Sequence, residues 1–282
     1  MYFKFKNHEG LLLLAVLALT TLALVLPPLA QPAHQHAFAD VRAWAGVPFA
    51  ADVLSNLPFG VWGVAGLGVL LRWQGAVLSL PVSASGRVQT AWAALFFAGL
   101  VLTAPASAFY HWQPLDARLT IDRLGMAVAF AGLIGLAAAD RVSVRAGLCM
   151  AACVLVLGPL SVGVWSASGN VLPWLTVQFG GMVLVLVLAR LKPLPGSLGV
   201  AWGAVIMIYA LAKFFEMTDE AVYAATSGLI SGHSLKHLVA SCAAWPVLTA
   251  WVSHAKSRAE CASALQAAHE SRVCNRQTRL PA

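Results

Sequence analysis

The 44 residues between Arg145 and Arg190 carry no charged side chain. One crossing of a hydrocarbon core about 30 Å thick takes about 20 helical residues, so this run is long enough to cross twice. The rest of the chain follows suit. It is 60% hydrophobic and 10% charged, where a soluble domain carries about 25% charged residues. That composition, with a mean hydropathy of +0.77, excludes a soluble globular domain and a disordered chain. The net charge of +7 does not describe a nucleic-acid-binding face. Five of the 18 Lys and Arg lie in the last 27 residues, and most of the others sit between apolar runs. Such spacing fits membrane topology.

The charged residues mark off the spans. Gly10 to Gln31 is one. Asp52 to Arg72 encloses 19 uncharged residues, Arg87 to Asp116 encloses 28 and Arg123 to Asp140 encloses 16. The last of these becomes a full span, Leu119 to Ala139, when Asp122 and Arg123 sit at its outer end. The long run after Arg145 divides at SASGNVLP (Ser166 to Pro173), where Gly, Asn and Pro favour a turn. Lys192 to Lys213 and Lys236 to Lys256 complete the set. The expectation is eight helices, each apolar most of the way round. The runs are continuous and lack the ten-residue alternation of a β-barrel. The five cysteines are scattered without a C-x-x-C and read as packing residues.

The first run has a basic start (Lys4, Lys6) and an apolar middle, as a signal peptide does, but lacks a clean A-x-A site. It is expected to be retained as a span. Placing the N-terminus inside puts 13 basic residues on the inner side: Lys4, Lys6, Arg72, Arg87, Arg141, Arg145, Arg190, Lys192 and the five of the tail. The outer side then has five: Arg42, Arg118, Arg123, Lys213 and Lys236. The positive-inside rule therefore predicts both termini in the cytoplasm, and an integral multi-pass protein of a bacterial inner membrane. Residues 255–282 read as a basic cytoplasmic tail near anionic lipid.

Chemistry collects on the predicted outer side. Seven of the 11 acids fall there, against four inside. Ionisable groups at a membrane span mark function by default. The third span ends with Ser107 and His111 at i, i+4, which places them on one helix face. The fourth opens with Asp122 and Arg123, and the eighth with His233 and His237, again i, i+4. An H-x-x-x-H pair can grip one Zn²⁺, and a third histidine completes a set with one position open. Taken singly, these residues have plainer readings. The histidines could bond headgroups, Ser107 its own helix, and Asp122 its neighbour Arg123. Their convergence on one side favours a single site. Lys213, Glu216 and Glu220 share one helical face, and Lys236 sits between the two histidines, so ion pairs are expected there. Asp40 and Arg42 are expected to pair as a lid, and Trp44 and Trp112 to sit in the interfacial belt.

S-A-F-Y-H at Ser107 to His111, D-R at Asp122 and Arg123, and G-H-S-L-K-H at Gly232 to His237 together resemble the alkaline ceramidase family. S-N-L at Ser55 to Leu57 is similar to that family's opening helix. The family belongs to a wider group of seven-pass hydrolases that includes the adiponectin and progestin receptors. The resemblance runs from about Ala51 to Val252. It implies an all-α integral membrane protein with a seven-transmembrane-helix core at 34–254, preceded by one extra N-terminal helix at 1–33. It implies a zinc ion on His111, His233 and His237, with Ser107 and Asp122 matching the family's serine and aspartate. Some members also have an acidic calcium site ahead of the S-N-L helix. Here that stretch offers only Asp40 and Asp52 among His34, His36, Phe38 and alanines, a departure that leaves calcium in doubt.

The implied activity is zinc-dependent hydrolysis of ceramide or a similar N-acyl lipid. Asp122 would handle the proton of the attacking water, Ser107 would hydrogen-bond the water or the oxyanion, and the acyl chain would lie between helices. The alternative is a seven-pass zinc-containing receptor or sensor, for which the short inner loops offer little signalling surface. A proton-relaying transporter ranks lower, because the helix middles carry no acids or bases.

Overall fold

The computed structural model describes residues 7–78 and 84–277, with the side chains of 73–85 and 265–277 left aside. Lys4, Lys6 and Arg279, used above for orientation, lie outside the described residues.

Helices account for nearly all regular structure among the described residues, as the uncharged runs predict. In chain order they are α1 (Asn7–Val25), α2 (Ala50–Leu54), α3 (Leu57–Leu78), α4 (Ala84–Trp112), α5 (Asp116–Arg141), α6 (Val144–Ser168), α7 (Leu172–Ala189), α8 (Trp202–Met217), α9 (Asp219–Ala225), α10 (Gly232–Ser241) and α11 (Ala244–Gln277). Seven helical stretches are long and apolar enough to cross a bilayer: α1, α2 with α3, α4, α5, α6, α7, and α10 with α11. The eighth expected crossing, α8, has 16 residues. At 1.5 Å per residue it is about 24 Å long, just short of the core thickness. The chain is an all-α, multi-pass membrane protein.

The turn predicted within the 44-residue run is present. Gly169 ends α6 in the left-handed conformation at φ 73°, and Pro173 stands in the first turn of α7. Both choices follow from local chemistry, since glycine takes positive φ without a Cβ clash and proline needs no helical N–H there.

Apolar burial does little to hold helices together in lipid, so close packing of small residues takes over. The α4–α5 contact shows this. A Cβ added at Gly132 would meet Phe96 N at 2.2 Å, and one at Gly99 would meet Ala129 N at 2.3 Å. Gly135 and Gly147 bring α5 and α6 together against Ala151 and Ala139. Gly132→Ala is therefore expected to destabilise the bundle by roughly 1–3 kcal/mol or more, since the obstacle is backbone and cannot rotate away. Thermal unfolding in detergent, compared with the open position Gly68→Ala, checks this.

Helix α1 is peripheral and packs mainly on α7, with Leu19 against Gly180. Its N-terminal end is clasped by Glu9, which pairs with Arg145 and accepts a hydrogen bond from Ser143. Its C-terminal end leads into residues 26–49, which pair with the α6–α7 turn through Leu29 N to Asn170 Oδ1 (3.0 Å) and Val171 N to Leu29 O (2.8 Å). At the C-terminal end of α5 Asp140 accepts from Trp202 Nε1 (2.9 Å) and Gly199 N (2.8 Å), while Arg141 donates to Leu191 O and Val200 O. The loop before α8 is fixed by these bonds.

Candidate metal centre

Two of the membrane-spanning stretches are interrupted. Helix α2 stops at Ser55, and α3 starts two residues later with Pro58 in its first turn. Helix α10 stops at Cys242, and α11 starts at Ala244 with Pro246 in its first turn. Proline lacks the N–H a continuous helix would need, so both crossings re-start there. Pro105 lies inside α4, two residues before Ser107. These irregularities gather around one place, the end of the bundle opposite Arg141, Arg145 and Arg190.

There the three predicted histidines meet. His111 comes from the last turn of α4, and His233 and His237 from one face of α10. All three are buried, and one ring nitrogen from each lies within 4.8 Å of the others. The rings form a nearly equilateral triangle, with centroids 4.8, 4.9 and 4.9 Å apart and planes inclined at 67° to 87°. His111 Nε2 and His233 Nε2 are 3.3 Å apart. Two nitrogens bound about 2.0–2.1 Å from one tetrahedral ion stand about 3.3–3.4 Å apart. The triad can hold a metal ion.

Local structure places each ligand. Ser231 caps α10 by accepting from Ser234 N (3.0 Å). The N–H of His233, otherwise orphaned in the first turn, donates to Asp219 Oδ1 (2.8 Å). Gly232 permits the close approach, because a Cβ there would meet Phe215 O at 2.3 Å. His237 Nδ1 lies 2.8 Å from Ser55 Oγ, whereas the buried His111 Nδ1 has no hydrogen-bond partner among the described residues.

Ser107 and Asp122 come to the same region. Both are buried, and the Ser107 hydroxyl neighbours the Asp122 carboxyl across the α4–α5 contact. No direct ion pair joins Asp122 to Arg123 among the described residues, although the two charges interact at longer range. Arg123 instead donates to Gln31 Oε1 (2.8 Å) and lies over the Trp165 ring at 3.9 Å.

The expected pairs around the site form. Lys213 and Lys236 both bond Glu216, the latter at 2.8 Å, while Glu220 makes no ion pair among the described residues. Arg42 grips Asp40 at 2.8 and 2.6 Å and donates to Leu229 O (3.0 Å). Its hydrogen bonds hold the Asp40 carboxyl below the usual carboxylate range, against the opposing effect of burial. Asp52, the other acid of that stretch, accepts from Ser234 Oγ (2.6 Å). Trp44 and Trp112 are both exposed.

Residues 26–49 form a cover that sequence reasoning read only as an Asp40–Arg42 pair. Phe38 is its centre, with its ring 4.8 Å from that of His111 and 4.5 Å from that of His233. His36 meets Tyr110 Oη and Asp116 Oδ1, each at 3.0 Å. Ala39 N donates to Asp219 Oδ2 (3.0 Å), so one carboxylate holds both the cover and α10. An apolar ring against two of the three imidazoles helps keep water from them and strengthens electrostatics beneath it.

Compared with known proteins, the chain matches no family model, no curated protein and no solved structure.

Proposed function

We propose that this protein is a zinc-dependent membrane amidase that hydrolyses the amide bond of ceramide or a similar N-acyl lipid. The observation that carries the reading is the buried three-histidine triangle, supported by Ser107 one turn before His111 on α4 and by the Asp122 carboxyl that neighbours the Ser107 hydroxyl. Three imidazoles from two helices suit Zn²⁺, whose catalytic sites use three protein ligands and one open position. The motif resemblance to the alkaline ceramidase family supports the choice of a lipid amide, as does the setting among membrane-spanning helices. A zinc ion held by His111, His233 and His237 would supply Lewis acidity, polarising a carbonyl and lowering the pKa of water to about 7.

The other residues have separable tasks. The Asp122 carboxylate takes a proton from the attacking water and returns it to the amine nitrogen as the C–N bond breaks. The Ser107 hydroxyl donates to the developing carbonyl oxyanion. Glu216 holds the Lys236 ammonium on the turn between the two α10 histidines. The expected products are one free fatty acid and one free amine per substrate, measured after incubating detergent-purified protein with an N-acyl sphingoid lipid. Acyl transfer without free fatty acid would contradict hydrolysis.

The centre lies at the end of the bundle opposite Arg141, Arg145 and Arg190, which the positive-inside rule assigns to the cytoplasm. The proposed arrangement has both termini inside and the centre facing outward. A reporter fused after Gly169 is expected to read outside, and one at the C-terminus inside. A C-terminal reporter that reads outside contradicts this orientation.

A further inference from the structure

Of the three histidines, His237 has a built partner for its outward nitrogen, and that partner is itself fixed. Ser55 Oγ donates to Asp52 O (3.0 Å), and Asn56 Nδ2 donates to the same carbonyl (2.8 Å). The break between α2 and α3 makes that carbonyl available. Asp52 is in turn tied to α10 through Ser234 Oγ. All of these groups are buried. A hydroxyl has one proton and two lone pairs. With its proton committed to Asp52 O, Ser55 Oγ meets His237 Nδ1 at 2.8 Å as an acceptor.

We infer that Ser55 is a positioning residue that holds His237 as the Nδ1–H tautomer, leaving the Nε2 lone pair for a metal ion. This deepens the zinc reading and rests on it. A ligand histidine whose outer N–H has an acceptor is fixed in tautomer and ring orientation and is a more basic ligand. At His111 the corresponding nitrogen is buried without a hydrogen-bond partner among the described residues. The segment Asp52, Ser55 and Asn56 then acts as a bracket from the second crossing that aligns a ligand on the last one.

The test is zinc affinity, measured by chelator competition on the full-length protein in detergent, with apo-protein melting measured in parallel. Ser55→Ala removes the acceptor. Ser55→Cys keeps nearly the same volume but offers only a weak sulfur acceptor, so it covers the case in which a cavity harms folding. Both variants are expected to bind zinc about 10- to 100-fold more weakly than wild type, while Ser55→Cys keeps the apo melting temperature. His237→Ala serves as the control. Wild-type affinity in Ser55→Cys, with zinc lost in His237→Ala, would overturn the positioning role and leave the metal centre standing. Zinc retained in His237→Ala would remove the centre itself and the positioning role with it.

Discussion

Asp122→Asn is expected to lower turnover of an N-acyl lipid by about 10² to 10⁴, the usual worth of a positioned general acid–base group. The amide keeps the shape of the carboxylate and removes no metal ligand, so bound zinc should stay close to the wild-type amount. Asp122 is buried, and no direct ion pair ties it to Arg123 among the described residues. Arg123 is held instead by Gln31 and the Trp165 ring. Ser107→Ala is the companion change. It should cost about 10² to 10³ in rate, the worth of one oxyanion donor. The readout is single-turnover release of fatty acid, with zinc content measured on the same samples. Undiminished release by Asp122→Asn would end its assignment as the proton carrier.

The second large effect concerns the metal. His237→Ala and His111→Ala should each reduce zinc from about one ion per chain to a small fraction of that, because structural and catalytic zinc sites need three or four protein ligands. The two variants sit in different helices, α10 and α4. Loss in both locates one ion between distant parts of the chain, which no local H-x-x-x-H pair could explain. Elemental analysis of protein purified in detergent gives the answer. Full zinc retention in either variant removes that histidine from the ligand set.

Much of this fold could be read from uncharged runs, because a span is a local property of some 20 residues. The Gly169 and Pro173 turn was legible for the same reason. The interruptions at Ser55–Asn56 and Cys242–Ala243 were harder to place. Pro58 and Pro246 mark them in the sequence, but proline near the start of a helix is also ordinary. Within the site, i, i+4 spacing identified Ser107 with His111 and His233 with His237, since helix geometry puts such pairs on one face. Periodicity could not show that the two helices meet. It also missed the cover, because His36 with Tyr110 and Ala39 with Asp219 are contacts between residues 74 and 180 positions apart. The role of Ser55 was hidden in a similar way. The S-N-L stretch was noticed only as a resemblance, and its partner His237 lies 182 positions away.

The central claim is that a metal ion on the three histidines drives hydrolysis of a lipid amide. Its most direct measurement follows fatty-acid release from an N-acyl lipid by the same protein as purified, after removal of metal by a chelator, and after return of one equivalent of zinc. The account predicts release by the first sample, its loss in the second and its recovery in the third, tracking the zinc bound. Folded protein that carries one zinc per chain and releases no fatty acid from any N-acyl lipid would contradict it.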